Sequence, residues 1–106
     1  MYGELITTIS HMKGKLDECD IFLPNIFEDD KAAKKDVFFC TVIKVLQKAS
    51  KEKKCILIKN EISKLIRNLK KEKRQCQIHE DSEIMMPTFL EGLLQYLKMM
   101  YRKSSS

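Results

Sequence analysis

The chain has no tryptophan, three glycines, two prolines and 8% aromatic residues in a length of 106. Each shortage excludes something. Gly3, Gly14 and Gly92 lie far apart, so there is no glycine-rich loop to cradle a phosphate. No apolar run approaches the ~18 residues that a membrane span needs. No basic cluster is interleaved with aromatics on which bases would stack. His11 and His79 fall in separate segments, with no nucleophile spaced to either. Glu28-Asp29-Asp30 reads as a polar connection rather than an acid–base pair. No enzyme and no cofactor is expected. An Asn-x-Ser/Thr sequon is also missing, so N-glycosylation is not expected.

What is present is amphipathic. Apolar residues make up 43% of the chain and charged residues 33%, a balance that folds rather than stays disordered. One domain over 1–106 is expected, with one core and little stability to spare. Met1-Tyr2-Gly3-Glu4 enters directly into periodic sequence, which reads as a mature form with an added initiator Met. The net charge is +5. It lies mainly in 48–54 and 59–74, interleaved with Glu52, Glu61 and Glu72. Such a mixture is a solvated helix face, so no nucleic-acid partner is expected. Affinity for anionic glycans would be secondary.

Four segments carry helical periodicity. The first spans about 2–17, with Leu5, Ile9, Met12 and Leu16 in register and Ile6 beside them. The second spans about 36–50, with Asp36 as N-cap and Phe38, Val42, Val45 and Ala49 as its stripe. The third spans about 56–74 through Ile58, Ile62, Leu65, Ile66 and Leu69. The fourth spans about 87–103, opening on Pro87 and running through Phe89, Leu90, Leu93, Leu94, Leu97 and Met100. Gly92 weakens it by ~1 kcal/mol relative to alanine. The tail from Ser104 is expected to fray.

Connection lengths then set the topology. Lys51–Cys55 is short, so the second and third helices are antiparallel neighbours. The other two connections are long enough to run the length of a helix. The expected fold is therefore an all-α, up-up-down-down four-helix bundle with two crossovers. Ile21-Phe22-Leu23 and Gln77-Ile78, one in each crossover, are candidates for a short two-stranded ribbon.

Cys19, Cys40, Cys55 and Cys76 test that topology. An even cysteine count in a short chain reads as a disulfide framework in an oxidising compartment. The bundle brings the end of the first helix to the second–third corner, and the start of the second to the end of the third. It therefore selects Cys19–Cys55 and Cys40–Cys76. Cys76-Gln-Ile-His79 has the spacing of half a zinc site, but no second ligand pair accompanies it, so no metal is expected.

With these features assembled, the chain resembles the interleukin-4/interleukin-13 family of short-chain helical cytokines, over essentially its whole length. Glu4-Leu-Ile-Thr-Thr-Ile-Ser10 is similar to the family's first helix, and Phe39-Cys40 through Leu46 to its second. Asn25-Ile26-Phe27 resembles the end of the first crossover strand, and Phe89-Leu90-Glu91 through Tyr101 the fourth helix. The family uses the same cysteine pairing. No cysteine precedes Glu4, and Ser104 stands where interleukin-4 has a later cysteine, which leaves two bridges. That mixture resembles fish-type interleukin-4/13.

The resemblance implies a secreted, monomeric cytokine that bridges two receptor chains. An interleukin-4 receptor alpha-type chain would be bound by the first and third helices. The implied residues are Glu4 and Arg67 as anchors, with Lys64 and Asn68 beside them. A one-turn slip of register would move the arginine's role to Arg74. A second chain, of the common gamma or interleukin-13 receptor alpha type, would be recruited through Ile6, Ser10, Lys98 and Tyr101. No membrane insertion is implied. Two other readings stay open: a short-chain cytokine of interleukin-2 or interleukin-5 type, or a basic, disulfide-stapled helical protein acting on membranes or glycans.

Overall fold

In the computed structural model, residues 2–16, 19–27, 35–69 and 82–105 are described. Four helices order along the chain: α1 Tyr2–Lys13, α2 Lys35–Ser50, α3 Lys59–Leu69 and α4 Met86–Ser105. The buried residues follow the expected stripes. Leu5, Ile9 and Met12 of α1 meet Phe39, Val42, Val45, Leu46 and Ala49 of α2 in one core. Ile62, Leu65 and Leu69 come from α3, and Phe89, Leu90, Leu93, Leu94 and Leu97 from α4.

Helix ends differ from the expectation, for local reasons. α1 stops at Lys13 rather than near 17. At Gly14 and Lys15 the backbone N–H groups donate to the His11 and Met12 carbonyls, three residues back, so the last turn tightens and the helix is not continued. α2 begins at Lys35, which places Asp36 in its first turn and not at the N-cap. The third segment does not open as an α-helix at Ile56. A 3₁₀ helix occupies Lys53–Ile58, with Cys55 at φ −105° and ψ 19°, and α3 starts only at Lys59. The expected stretch 70–74 lies outside the described residues. α4 begins at Met86, with Pro87 in the first turn, and runs on to Ser105, past the expected 103.

A two-stranded antiparallel ribbon joins the crossovers: β1 Phe22–Pro24 and β2 Glu83–Met85. Its register pairs Phe22 with Met85, Leu23 with Ile84 and Pro24 with Glu83. The first strand lies within a residue of the expected position. The second does not, because β1 pairs with 83–85, and Gln77-Ile78 lies outside the described residues. Backbone bonds from Asn25 N–H to Ser82 O and from Met86 N–H to Ile21 O, each 3.0 Å, extend the ribbon to the start of α4.

Two ion pairs fix helix directions. Lys15, past the end of α1, reaches Glu61 in the first turn of α3 at 2.8 Å. Lys13 reaches Glu91 in the first half of α4. α1 is therefore antiparallel to both helices packed along it. Cys19, beyond the end of α1, bonds to Cys55, beyond the end of α2, with Cα atoms 4.6 Å apart. The helices run up-up-down-down, an arrangement that the long first and third connections permit. Cys40 is also disulfide-bonded; its expected partner Cys76 lies outside the described residues.

Rings fill the space between α2 and α4. Phe38 and Tyr96 stack at 3.9 Å between centroids, and Phe39 meets Tyr96 edge-on at 5.9 Å. Phe27, from the first crossover, adds a third layer against Phe38 at 6.0 Å and Phe89 at 5.8 Å. No helix among the described residues is long and apolar enough to cross a membrane.

Candidate functional site

Helical spacing gives α1 two outward sides. Glu4, Thr7, Thr8 and His11 recur at three and four residues and face α3. Ile6, Ser10 and Lys13 face α4. On α3, Asn60, Glu61, Lys64 and Arg67 repeat in the same way. Ile62, Leu65 and Leu69 are turned into the core, which leaves Lys64 and Arg67 exposed and Asn68 half-buried.

Between α1 and α3 the two rows enclose a polar cleft of about 300 Å³, lined by Thr7, Thr8, His11, Asn60, Glu61 and Lys64. Helical spacing sets Glu4 one turn before Thr8 on α1 and Arg67 and Asn68 one turn after Lys64 on α3, outside the cleft's lining. Glu4, Lys64 and Arg67 are exposed and carry no ion pair among the described residues. This face thus presents exposed charges of both signs, suited to charge-assisted contacts.

Glu61 is the cleft's fixed point. The hydrogen bond from Lys15 Nζ holds its carboxyl below the usual carboxylate range, against the opposing effect of burial, with a smaller contribution from the nearby His11 charge. Its other oxygen, Oε2, is shielded from solvent and has no hydrogen-bond partner among the described residues. Thr7 and Thr8 hydroxyls donate to the Gly3 and Glu4 carbonyls, both at 2.9 Å. Neither hydroxyl donates to His11.

The α1–α4 side is built differently. Ile6 is half-buried and packs on the core. Ser10 Oγ donates to the Ile6 carbonyl at 2.9 Å. Lys98 is exposed, and Tyr101 is 51% exposed. A Cβ built at Gly3 would lie 3.9 Å from Tyr101 Cε2, so the tyrosine ring rests over the first turn of α1. Lys13 and Gln95 both donate to the Glu91 carboxylate, and those bonds lower its pKa.

Of the first predicted group only Lys64 lines the cleft; of the second, Ile6 packs on the core and Tyr101 lies over the first turn of α1. Sequence reasoning missed Thr7, Thr8, Asn60 and Glu61. Their signal was present, since Thr8 follows Glu4 by one turn and Asn60 precedes Lys64 by one turn. His11 is exposed and stands in the cleft; His79 and Arg74 lie outside the described residues.

Compared with known families, the chain matches the one described as Interleukin 4 over residues 1–103. The chain belongs to the interleukin-4 family. No curated protein sequence matches it. Membership agrees with the four helices, the ribbon and the Cys19–Cys55 bridge, and it makes this family member a cytokine. Among its described residues, no group of three or more His, Cys, Asp or Glu side chains is placed to hold a metal.

Proposed function

We propose that this chain is a secreted, monomeric cytokine of interleukin-4/interleukin-13 type, its one domain spanning 1–106. It captures an interleukin-4 receptor alpha-type chain first, through Glu4, Lys64, Arg67 and Asn68. It then recruits a second chain, of the common gamma or interleukin-13 receptor alpha type, through Ile6, Ser10, Lys98 and Tyr101. Bringing the two ectodomains together is the whole of its chemistry.

The observation that carries the reading is the family match over 1–103 together with an α1–α3 face of exposed charges. Glu4 and Arg67 give up their hydration on binding, so a receptor that supplies hydroxyls or opposite charges would gain orientation and association rate more than raw affinity. The second face supports a weaker contact. It offers one half-exposed aromatic with a polar tip, the usual make-up of an interface anchor.

Two faces predict separable lesions. Glu4→Lys is expected to lower affinity for the alpha ectodomain by at least about 100-fold. Tyr101→Asp is expected to leave that affinity within about threefold and to abolish signalling in responding cells. Binding by surface resonance and receptor-linked phosphorylation read the two separately. Equal loss of alpha-chain affinity in both variants would contradict the assignment.

A further inference from the structure

The 3₁₀ segment Lys53–Ile58 leaves an apolar surface that neither proposed receptor face uses. The backbone kinks at Cys55, whose φ and ψ are non-helical, so the segment is two short turns rather than one regular helix. Cys55 and Ile58 take the inner side and are buried. Ile56 and Leu57 are thereby turned outward, 67% and 58% exposed. Phe22 and Met85, opposite each other across the ribbon, are 61% and 41% exposed. The Cys19–Cys55 bridge and the Lys54–Asp20 ion pair at 3.4 Å tie the approach to β1 to this 3₁₀ segment. Of the six large exposed hydrophobics among the described residues, Ile56 and Leu57 are adjacent on the 3₁₀ segment, and Phe22 and Met85 face each other on the ribbon. Single exposed aliphatics are ordinary; adjacent ones are less so.

Charge around the 3₁₀ segment is mainly basic: Lys51, Lys53, Lys54 and Lys59 are exposed about Ile56 and Leu57, against Glu52 and Asp20, whereas Met85 on the ribbon has the exposed Glu83 two residues away on its own strand. Lys51, Lys53 and Lys59 have no acidic partner among the described residues.

We propose that this segment docks on an anionic lipid surface, with Ile56 and Leu57 entering the headgroup boundary and the flanking lysines on the headgroups. A second copy of the chain would bring the lysines against one another. An anionic glycan would meet the lysines but leave Ile56 and Leu57 uncovered. An anionic bilayer satisfies both, since apolar side chains enter the interface while basic ones stay at the phosphates. This is peripheral contact, not a span. The α1–α3 and α1–α4 faces run along the sides of the bundle and stay open, so a surface-held molecule can still be captured by a receptor.

Co-sedimentation of the oxidised chain with vesicles tests this without any receptor. Binding is expected to vesicles of phosphatidylcholine with phosphatidylserine, to fall at raised salt, and to be absent on phosphatidylcholine alone. The double variant Ile56→Ser/Leu57→Ser changes only exposed side chains. It is expected to lower the partition at least roughly tenfold and to leave retention on heparin unchanged. Because the chain has no tryptophan, Leu57→Trp gives a single reporter, expected to shift to the blue on anionic vesicles and to be quenched by brominated lipid. Absence of vesicle binding would overturn the proposal. So would equal binding by the double variant, which would mark a purely ionic, glycan-type site. A concentration-dependent dimer that the double variant loses would assign the patch to a second copy instead.

Discussion

Gly92 stands inside a helix that alanine would favour by ~1 kcal/mol, and the reason is Phe27. A Cβ at Gly92 would meet Phe27 Cζ at 2.8 Å and Cε2 at 2.9 Å. That ring cannot swing away freely, because Phe38 and Phe89 hold it on two sides. The missing Cβ thus lets the first crossover lie flat on α4. Overpacking of this kind costs about 1–3 kcal/mol, so Gly92→Ala is expected to destabilise the wild-type chain by about 1 kcal/mol net. In a Phe27→Ala background the same change should stabilise by about 1 kcal/mol. Urea denaturation of the four species measures that coupling, and additive effects would contradict the account. From the sequence, Gly92 reads only as a weak point, because nothing in the local pattern announces a ring arriving from a distant loop.

At the scale of elements, α1 is clamped to its neighbours by charge at its C-terminal end. Lys15 bonds Glu61 on α3, and Lys13 bonds Glu91 on α4. Both carboxyls are held below the ordinary value of 4.5, chiefly by those lysine hydrogen bonds. A depressed carboxyl pKa adds stability that is complete above the ordinary value and is lost as pH falls through the folded one. The lysines are largely solvated, so the effect is small. Between pH 6 and pH 3, wild type is expected to lose about 0.5 kcal/mol more stability than Glu61→Gln, read from urea midpoints. A larger loss in the variant would mean that the unpartnered Oε2 outweighs Lys15. The four helices were legible because their apolar stripes are long and regular. The 3₁₀ segment was not, since Cys55 and Ile58 stand three apart, a spacing that α and 3₁₀ helices share. The α1–α3 face was half legible: Glu4, Lys64, Arg67 and Asn68 came from a resemblance, whereas Glu61 needed the packing of α1 on α3.

For the whole molecule, two long crossovers cost chain entropy that a core of this size covers only narrowly. The Cys19–Cys55 bridge spans 36 residues, and closing such a loop in the unfolded chain is worth roughly 3–4 kcal/mol. Cys19→Ser/Cys55→Ser is expected to lose that amount in chemical denaturation while keeping its helical circular dichroism at low temperature. A loss below about 1 kcal/mol would place the support elsewhere. Connection lengths pointed to the helix directions, because a short connection forces antiparallel neighbours and a long one permits parallel ones, and the cysteine positions then matched that topology. The partner of β1 was beyond such reasoning, since ribbon register depends on which part of the second crossover the helix ends bring alongside. At this scale the proposed function comes down to capture of a receptor alpha chain by the α1–α3 face. The most direct test is equilibrium binding of the oxidised chain to the interleukin-4 receptor alpha ectodomain of the same species at physiological salt. Saturable one-to-one binding, lost in both Glu4→Lys and Arg67→Glu, is the predicted result. A folded, oxidised chain that does not bind, or binds equally well in both variants, would contradict it.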